Sequence, residues 1–348
     1  MFGGSIIITV IALTAAFMWG GVTGLAVAAI LGVMEVSLSF DNAVVNATVL
    51  QRMDAKWQRR FLTWGMVIAV FGMRIVFPLV IVSVISGLGI LSVGQMALNN
   101  PVEYSRHLTS SHIAISAFGG MFLLLVFLSF LLDAEKEVHW LGFIEEKMST
   151  SGRLASIEII LAMGLLLGIQ SYLPTAVRLE ALVAGLAGII LYVLISSLSD
   201  LFDDPSTGDA VAGGVKQAGL MSFLYLEVLD ASFSFDGVIG AFAITKDVVI
   251  IALGLAIGAM FVRSLTIYLV RRGTLQEFIY LEHGAHYGIG ALAAFMLVSM
   301  SVHVPEVITG LCGVAFIGLS VWSSIRHNRR EAAAESAAES KPPSHIER

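Results

Sequence analysis

Glu35-Val36-Ser37-Leu38-Ser39-Phe40-Asp41-Asn42 and Asp230-Ala231-Ser232-Phe233-Ser234-Phe235-Asp236-Gly237 are two copies of one polar octapeptide, each set inside an apolar run. Ser37, Ser39, Phe40 and Asp41 return unchanged as Ser232, Ser234, Phe235 and Asp236, and Glu35 returns as the shorter acid Asp230. A carboxylate at bilayer depth is costly unless it faces a cavity, a partner or an ion. A duplicated set of them marks a functional position in a membrane protein.

The bulk composition agrees. The chain has 348 residues, 57% hydrophobic and only 13% charged, with mean hydropathy +0.87, against about 25% charged in soluble domains. Its one cysteine, Cys312, excludes an intramolecular disulfide framework and a thiolate-rich metal cage. The first apolar run starts almost at Met1 with no basic segment before it, so a retained helix is expected rather than a cleaved signal. Runs of about 20 apolar residues give ten expected spans, at 4–19, 22–50, 61–86, 112–132, 154–171, 176–198, 217–244, 247–270, 284–301 and 305–325. The Ala-, Glu- and Ser-rich stretch 327–348 is expected to be a disordered tail.

This topology has an internal check. Fifteen of the 20 Lys and Arg residues fall on the side of the N-terminus, three fall on the other side, and Arg74 and Arg263 lie within spans. Such a bias puts both termini in the cytoplasm. The repeat also extends past the octapeptides: Gly65, Ile68 and Arg74 match Gly254, Ile257 and Arg263, and His112, Ala117 and Leu123 match His286, Ala291 and Leu297. Equivalent helices are five spans apart, an odd number, so the two copies enter the membrane from opposite sides. The chain therefore reads as an all-α polytopic protein of two inverted five-helix repeats, 1–172 and 173–326, with the site near the midplane between them.

Ser hydroxyls, Asn amides and carboxylates are hard ligands suited to Mn²⁺, Mg²⁺ or Ca²⁺. On a straight helix Glu35, Ser39, Asn42 and Asn46 share one stripe and Asp41 points about 120° away, so the second and seventh spans are expected to break around the motif. Gly237 in place of Asn42 suggests a closer backbone approach in the second copy. Glu35, Asp41, Glu227, Asp230 and Asp236 against Arg74 and Arg263 leave a net −3, a balance fit for a divalent cation with a proton involved. Ser39, Asn42 and Ser234 complete the expected metal ligands. Arg74 and Arg263 are expected to orient the acids or simply to tie helices together.

Asn46, His112, Glu282 and His286 are weaker candidates. Glu282 and His286 stand at i, i+4, one face of a helix, with His283 beside them. Histidines at helix ends are as readily solvated or hydrogen-bonded, and His303 with Glu306 reads as a joint. No Ser-His-Asp set and no nucleic-acid patch stands out.

Ser-Leu-Ser-Phe-Asp-Asn at 37–42, Ser-Phe-Ser-Phe-Asp-Gly at 232–237 and the arginines at 74 and 263 resemble the TerC family of tellurium-resistance membrane proteins. The string Tyr280-Leu281-Glu282-His283-Gly284-Ala285-His286-Tyr287 and the His112 region are similar to its TerC-related branch of unknown function. The resemblance covers about residues 5–325. It implies a multi-pass inner-membrane protein of the LysE-like transporter group that exports manganese or a related metal, with tellurite resistance as the historical association. It carries over Asp41, Asn42 and Asp236 as ion ligands, while Gly237 and Asp230 depart from a strict second copy.

The resulting expectation is an exporter of a divalent metal cation, Mn²⁺ favoured, with proton antiport. It would have no tightly bound cofactor and no enzymatic activity. Its partners would be the metal ion, the lipid bilayer, and further copies or cytoplasmic tellurium-resistance-type proteins, without nucleic acid. The rivals are a membrane-embedded metalloenzyme built on Glu282 and His286, and a metal-binding scaffold or sensor in a stress-resistance system.

Overall fold

Gly20-Gly21 gives the first apolar run no Cβ and one left-handed residue, and the chain folds back there. The structure is a computed structural model that describes residues 2–339 except 66, 135, 137, 152–155, 204–210 and 303. Every regular element among the described residues is helical: α1 (Gly3–Leu38), α2 (Phe40–Arg52), α3 (Ala55–Arg60), α4 (Phe77–Ser86), α5 (Ile90–Asn99), α6 (Pro101–Ser110), α7 (His112–Leu132), α8 (Phe143–Ser151), α9 (Ile157–Tyr172), α10 (Thr175–Asp203), α11 (Val211–Ile244), α12 (Val248–Arg272), α13 (Thr274–Glu277), α14 (Leu281–Ser299) and α15 (Glu306–Glu339). Between α3 and α4 lie two wider π-helical stretches, Phe61–Gly65 and Ile68–Val76.

α1 breaks at Gly21, whose φ of 63° and ψ of −153° belong to a region essentially reserved for glycine. A Cβ on Gly24 would stand 2.6 Å from the Ala16 carbonyl oxygen, so the two arms lie against each other. Both arms pack on α12. Ser5 donates to the Met260 carbonyl at 2.8 Å and Trp19 to Asp247 at 3.0 Å, which runs the first arm antiparallel to α12. Gly24 lies against Ile250 and Gly32 against Ile257, which runs the second arm parallel to it. The hinge is the joint expected between the first two spans.

Among the described residues five helices are long and apolar enough to cross a membrane: Gly3–Leu38, His112–Leu132, Thr175–Leu198, Val248–Arg272 and Ile308–Ala333. A pair bent by 45°, Ala55–Gly65 with Ile68–Val84, makes a sixth if it is one span. The ten expected spans exceed this count for physical reasons. α1 counts once although it is hinged, α9 has 16 residues, and α11 and α14 dilute their apolar runs with Glu227, Asp230 and Asp236 and with Glu282, His283 and His286.

The main core forms where α7, α10 and α14 meet, around Met121, Phe122, Leu123, Ile189 and Leu292. Small residues let the helices close up: Gly120 faces Leu297, and Gly185 faces Leu166 and Met121. α15 continues as a helix to Glu339, where a structureless tail from 327 was expected. Alanine and glutamate are strong helix formers, and His327 pairs with Glu331 one turn on at 3.0 Å. His303 and residues 340–348 lie outside the described residues.

Candidate functional site

Ser39 is where the first octapeptide departs from a straight helix. Its φ of −107° and ψ of 19° separate α1 from α2, as the sequence predicts for the second span. Glu35 and Asp41, which a straight helix would point about 120° apart, consequently line one small cavity of about 10 Å³ with Leu38, Phe233, Gly237, Leu292 and Thr309. α11 differs, because its helical assignment runs unbroken through the second octapeptide. The expected break of the seventh span is therefore corrected. Gly237 takes over the approach that unwinding would have given: a Cβ there would stand 2.5 Å from Glu35 Oε2.

Both acids of the first copy are sealed. Glu35 is 1% and Asp41 4% exposed. Arg74 Nη2 donates to Glu35 Oε1 at 2.5 Å, and the Ser39 hydroxyl lies 3.4 Å from the same oxygen. Asp41 accepts the Asn42 backbone N–H at 3.0 Å. Its Oδ2 lies 3.2 Å from where a Cβ on either Gly288 or Gly313 would stand, so α14 and α15 each offer bare backbone to this carboxylate.

A second cavity, of about 30 Å³, lies beside the first. Asn46, Arg74, Glu227, Asp230, Arg263 and Thr266 line it, together with Phe61, Gly65, Ala69, Ala259 and Val262. It has room for at least one water molecule. The two copies of the motif are joined at its edge, where Asn42 Nδ2 donates to Asp230 Oδ1 at 2.9 Å. In it or at its edge are buried oxygens with no hydrogen-bond partner, Asn42 Oδ1, Asn46 Oδ1, Asp230 Oδ2 and both oxygens of Glu227, which outnumber the unpaired donors Arg74 Nε and Arg263 Nε. Buried polar atoms are nearly always paired, so this concentration marks a place equipped for something that donates or carries positive charge. Arg263 supplies part of that charge, facing Glu227 and Asp230 in the same cavity, while its Nη2 donates to the Phe61 carbonyl and its guanidinium lies over the Phe61 ring at 5.1 Å.

The expected residues are thus divided. Glu35 and Asp41 line the smaller cavity, with Ser39 on Glu35; Asn46, Glu227, Asp230, Arg74 and Arg263 line the larger; Asn42 bridges them; and Ser234 is buried but lines neither. The side chain of Asp236 lies outside the described residues. Asp41 and Asp230 line different cavities, so the symmetrical meeting of acids from the two halves is not formed by these two. Among the described residues no three His, Cys, Asp or Glu side chains converge on one point as a metal cage. Thr309, Gly288 and Gly313 are the residues that the sequence left unmarked. Only a carboxylate brought over from another helix reveals why a glycine or threonine matters there.

His112, Glu282 and His286 sit elsewhere. His286 stacks on Phe130 at 3.9 Å, with Nδ1 2.9 Å from the Glu282 carbonyl, while the Glu282 carboxylate lies 3.4 Å from Arg52. The i, i+4 spacing therefore does not aim both side chains at one ligand. His112 Nε2 lies 3.3 Å from Ser116 Oγ and 3.4 Å from Ser299 Oγ.

Two large openings flank the small cavities. One, of about 770 Å³, is lined by the far end of α7 (Val126 to Leu132), the start of α14 (Glu282 to His286), and by Tyr225 and Arg52. The other, of about 560 Å³, is lined by the start of α7 (His112, Ile113), the end of α14 (Phe295 to Ser299) and the end of α11 (Ile239 to Ala243). α11 reads the order directly. Tyr225 is at the first opening, Glu227 and Asp230 at the larger cavity, Phe233 and Gly237 at the smaller, and Ile239 to Ala243 at the second opening. Thr309 lines both the smaller cavity and the second opening.

A sequence model of a family described as a protein of unknown function (DUF475) matches residues 40–331. No curated protein and no solved structure matches the chain.

Proposed function

The chain belongs to this family of unknown function, and from that premise we propose that it is a membrane transporter that exports a divalent cation, Mn²⁺ favoured. The observation that carries the reading is the order along α11: opening, acid-lined cavity, acid-lined cavity, opening, over one helix that runs from one end of the bundle to the other. A passage of this kind has no use in a static scaffold. The oxygen donors at its centre suit a hard cation, and the unpartnered carboxylate and amide oxygens give that cation something to replace.

The proposal includes the ten spans in two inverted halves, in the inner membrane with both termini in the cytoplasm. Support comes from α7 and α14, the helices that carry the matched His112 and His286. Each begins at a different opening, as an inverted pair must. Charge supports export. The opening on the side rich in Lys and Arg is lined by Asp133, Glu158 and Glu282 as well as by Arg52 and Lys136, whereas the opposite one is lined by Lys246 and, among the described residues, by no carboxylate. A cation gathers at the first and is repelled at the second. Proton antiport completes the charge balance, since a net −3 exceeds what one divalent ion neutralises.

Purified protein in proteoliposomes, loaded with Mn²⁺ and followed by a metal-sensitive dye, tests the reading. Flux is expected in the wild type and is expected to fall at least about tenfold, or ~1.4 kcal/mol, in Asp41→Asn and in Asp236→Asn. Binding without flux would favour the sensor reading instead. Intact flux in both variants would mean that the ion passes elsewhere.

A further inference from the structure

One ion pair links the two small cavities, beside the Asn42–Asp230 hydrogen bond. Arg74 lines the larger cavity, yet its Nη2 reaches out of it to Glu35, which lines the smaller one. Both side chains are almost fully buried, at 3% and 2% exposure. In the larger cavity Glu227 has neither oxygen hydrogen-bonded, and Arg74 keeps its Nε without an acceptor. An acid with no hydrogen bond, facing the charge of Arg263 but not bonded to it, and a guanidinium with an unused Nε therefore share one space of about 30 Å³. Arg74 also sits on the π-helical stretch Ile68–Val76, with Nη1 on the Ala69 carbonyl at 2.5 Å. Such stretches are wider than an α-helix, are uncommon, and recur at functional positions. Gly65 keeps the space open, because a Cβ there would stand 2.7 Å from Glu227 Oε1.

We infer that Arg74 is a built-in competitor for the cation: an ion that takes Glu35 and Asp41 releases Arg74, which moves onto Glu227 in the adjoining cavity. This inference rests on the transport reading and adds to it the residue that couples the two cavities. Its physical basis is charge. Glu35 cannot serve a divalent cation and a guanidinium together at full strength, and a buried guanidinium deprived of its acid must find another. Glu227 is the acid in reach of the same cavity that lacks hydrogen-bond partners. With the cation absent Arg74 fills its place at Glu35, so the passage is closed when empty. With the cation present the pair Arg74–Glu227 separates it from the larger cavity. Release toward Thr309 and the second opening restores the first arrangement.

Two variants move Mn²⁺ affinity in opposite directions, which a merely structural role for the pair would not do. The assay is calorimetric titration of purified protein with MnCl₂, alongside flux in proteoliposomes. Arg74→Gln removes the competitor and is expected to bind Mn²⁺ at least tenfold more tightly while flux drops at least tenfold. Glu227→Gln removes the destination and is expected to bind at least tenfold more weakly, although its side chain does not line the cavity of Glu35 and Asp41. Arg74→Lys, which keeps the charge, is expected to stay within about threefold of wild-type affinity. If Arg74→Gln does not fold, Glu227→Gln and Arg74→Lys decide. Weaker binding in Arg74→Gln, or unchanged binding in Glu227→Gln, overturns the exchange while leaving transport standing. A wild type that neither binds nor moves Mn²⁺ overturns the transport reading itself.

Discussion

At the scale of single residues, three glycines do work that acidic side chains cannot do alone. Gly237 leaves room for the Glu35 carboxylate against α11, and Gly288 with Gly313 leaves room for Asp41 between α14 and α15. Gly237→Ala would force Glu35 Oε2 away from a Cβ at 2.5 Å and disturb the ion pair to Arg74. Breaking a buried pair costs about 3–5 kcal/mol when one partner is lost. A displaced pair is expected to cost less, about 1–3 kcal/mol by the general scale of overpacking. The measurable outcome is a lower melting temperature and weaker Mn²⁺ binding in Gly237→Ala, but wild-type behaviour in Gly94→Ala, where nothing lies within 4 Å. Equal behaviour of the two variants would show that the approach at 237 carries no weight. The acids themselves were legible in the sequence, because duplicated carboxylates in apolar runs have few uses. Their partners were not, because a glycine opposite a carboxylate looks like any other glycine until the helices are packed.

At the scale of elements, the segment between α7 and α9 is pinned by one carboxylate. Glu145 of α8 is fully buried and accepts from the Trp140 N–H at 3.1 Å, the Leu141 N–H at 3.2 Å and the Tyr287 hydroxyl at 2.8 Å, with Lys136 at 3.2 Å. Burial pushes its carboxyl up, but the Tyr287 hydroxyl, the Leu141 N–H and the charges of Lys136 and His283 outweigh it and hold the group below its ordinary 4.5. A depressed carboxyl contributes stability that is complete above the ordinary value and is lost as pH falls through the lowered folded value. Protection of the amides at 140–151, taken relative to their intrinsic exchange rates, is therefore expected to be high at neutral pH and to fall as pH drops below the ordinary carboxyl value. Glu145→Gln should show the lowered protection already at pH 7. Protection that persists in the variant would mean that apolar contacts, not the carboxylate, hold the segment. The sequence marks this stretch only as a polar joint, since its anchor, Tyr287, lies 142 residues away.

At the scale of the whole molecule, the two large openings belong to opposite ends of one bundle. Thr109 lines one and Glu158 the other. In a background with Cys312 replaced by alanine, Thr109→Cys is expected to react with a membrane-impermeant maleimide only from the periplasmic face of intact cells. Glu158→Cys is expected to react only in inside-out vesicles. Labelling of both from one face would end the two-sided passage and with it the inverted arrangement of α7 and α14. The number of spans is the less legible quantity: among the described residues five or six helices are long and apolar enough to cross a membrane, and apolarity falls where a helix carries several charged residues, as α11 does.

The amino-acid sequence by itself determined that the chain is helical and apolar enough for a membrane, that it carries a doubled acidic motif, and that Glu35 and Asp41 need a break between them to face one space. Those follow from local chemistry: transfer free energy, helix periodicity and the cost of burying charge. Only the tertiary structure decided that the second motif stays helical, that Asp41 and Asp230 look into different cavities, and that Arg74 serves one cavity while lining the other. The reason is that partners for a buried charge come from whichever helix packs nearest. Packing is set by the small residues and hinges of distant segments, which have no local signature.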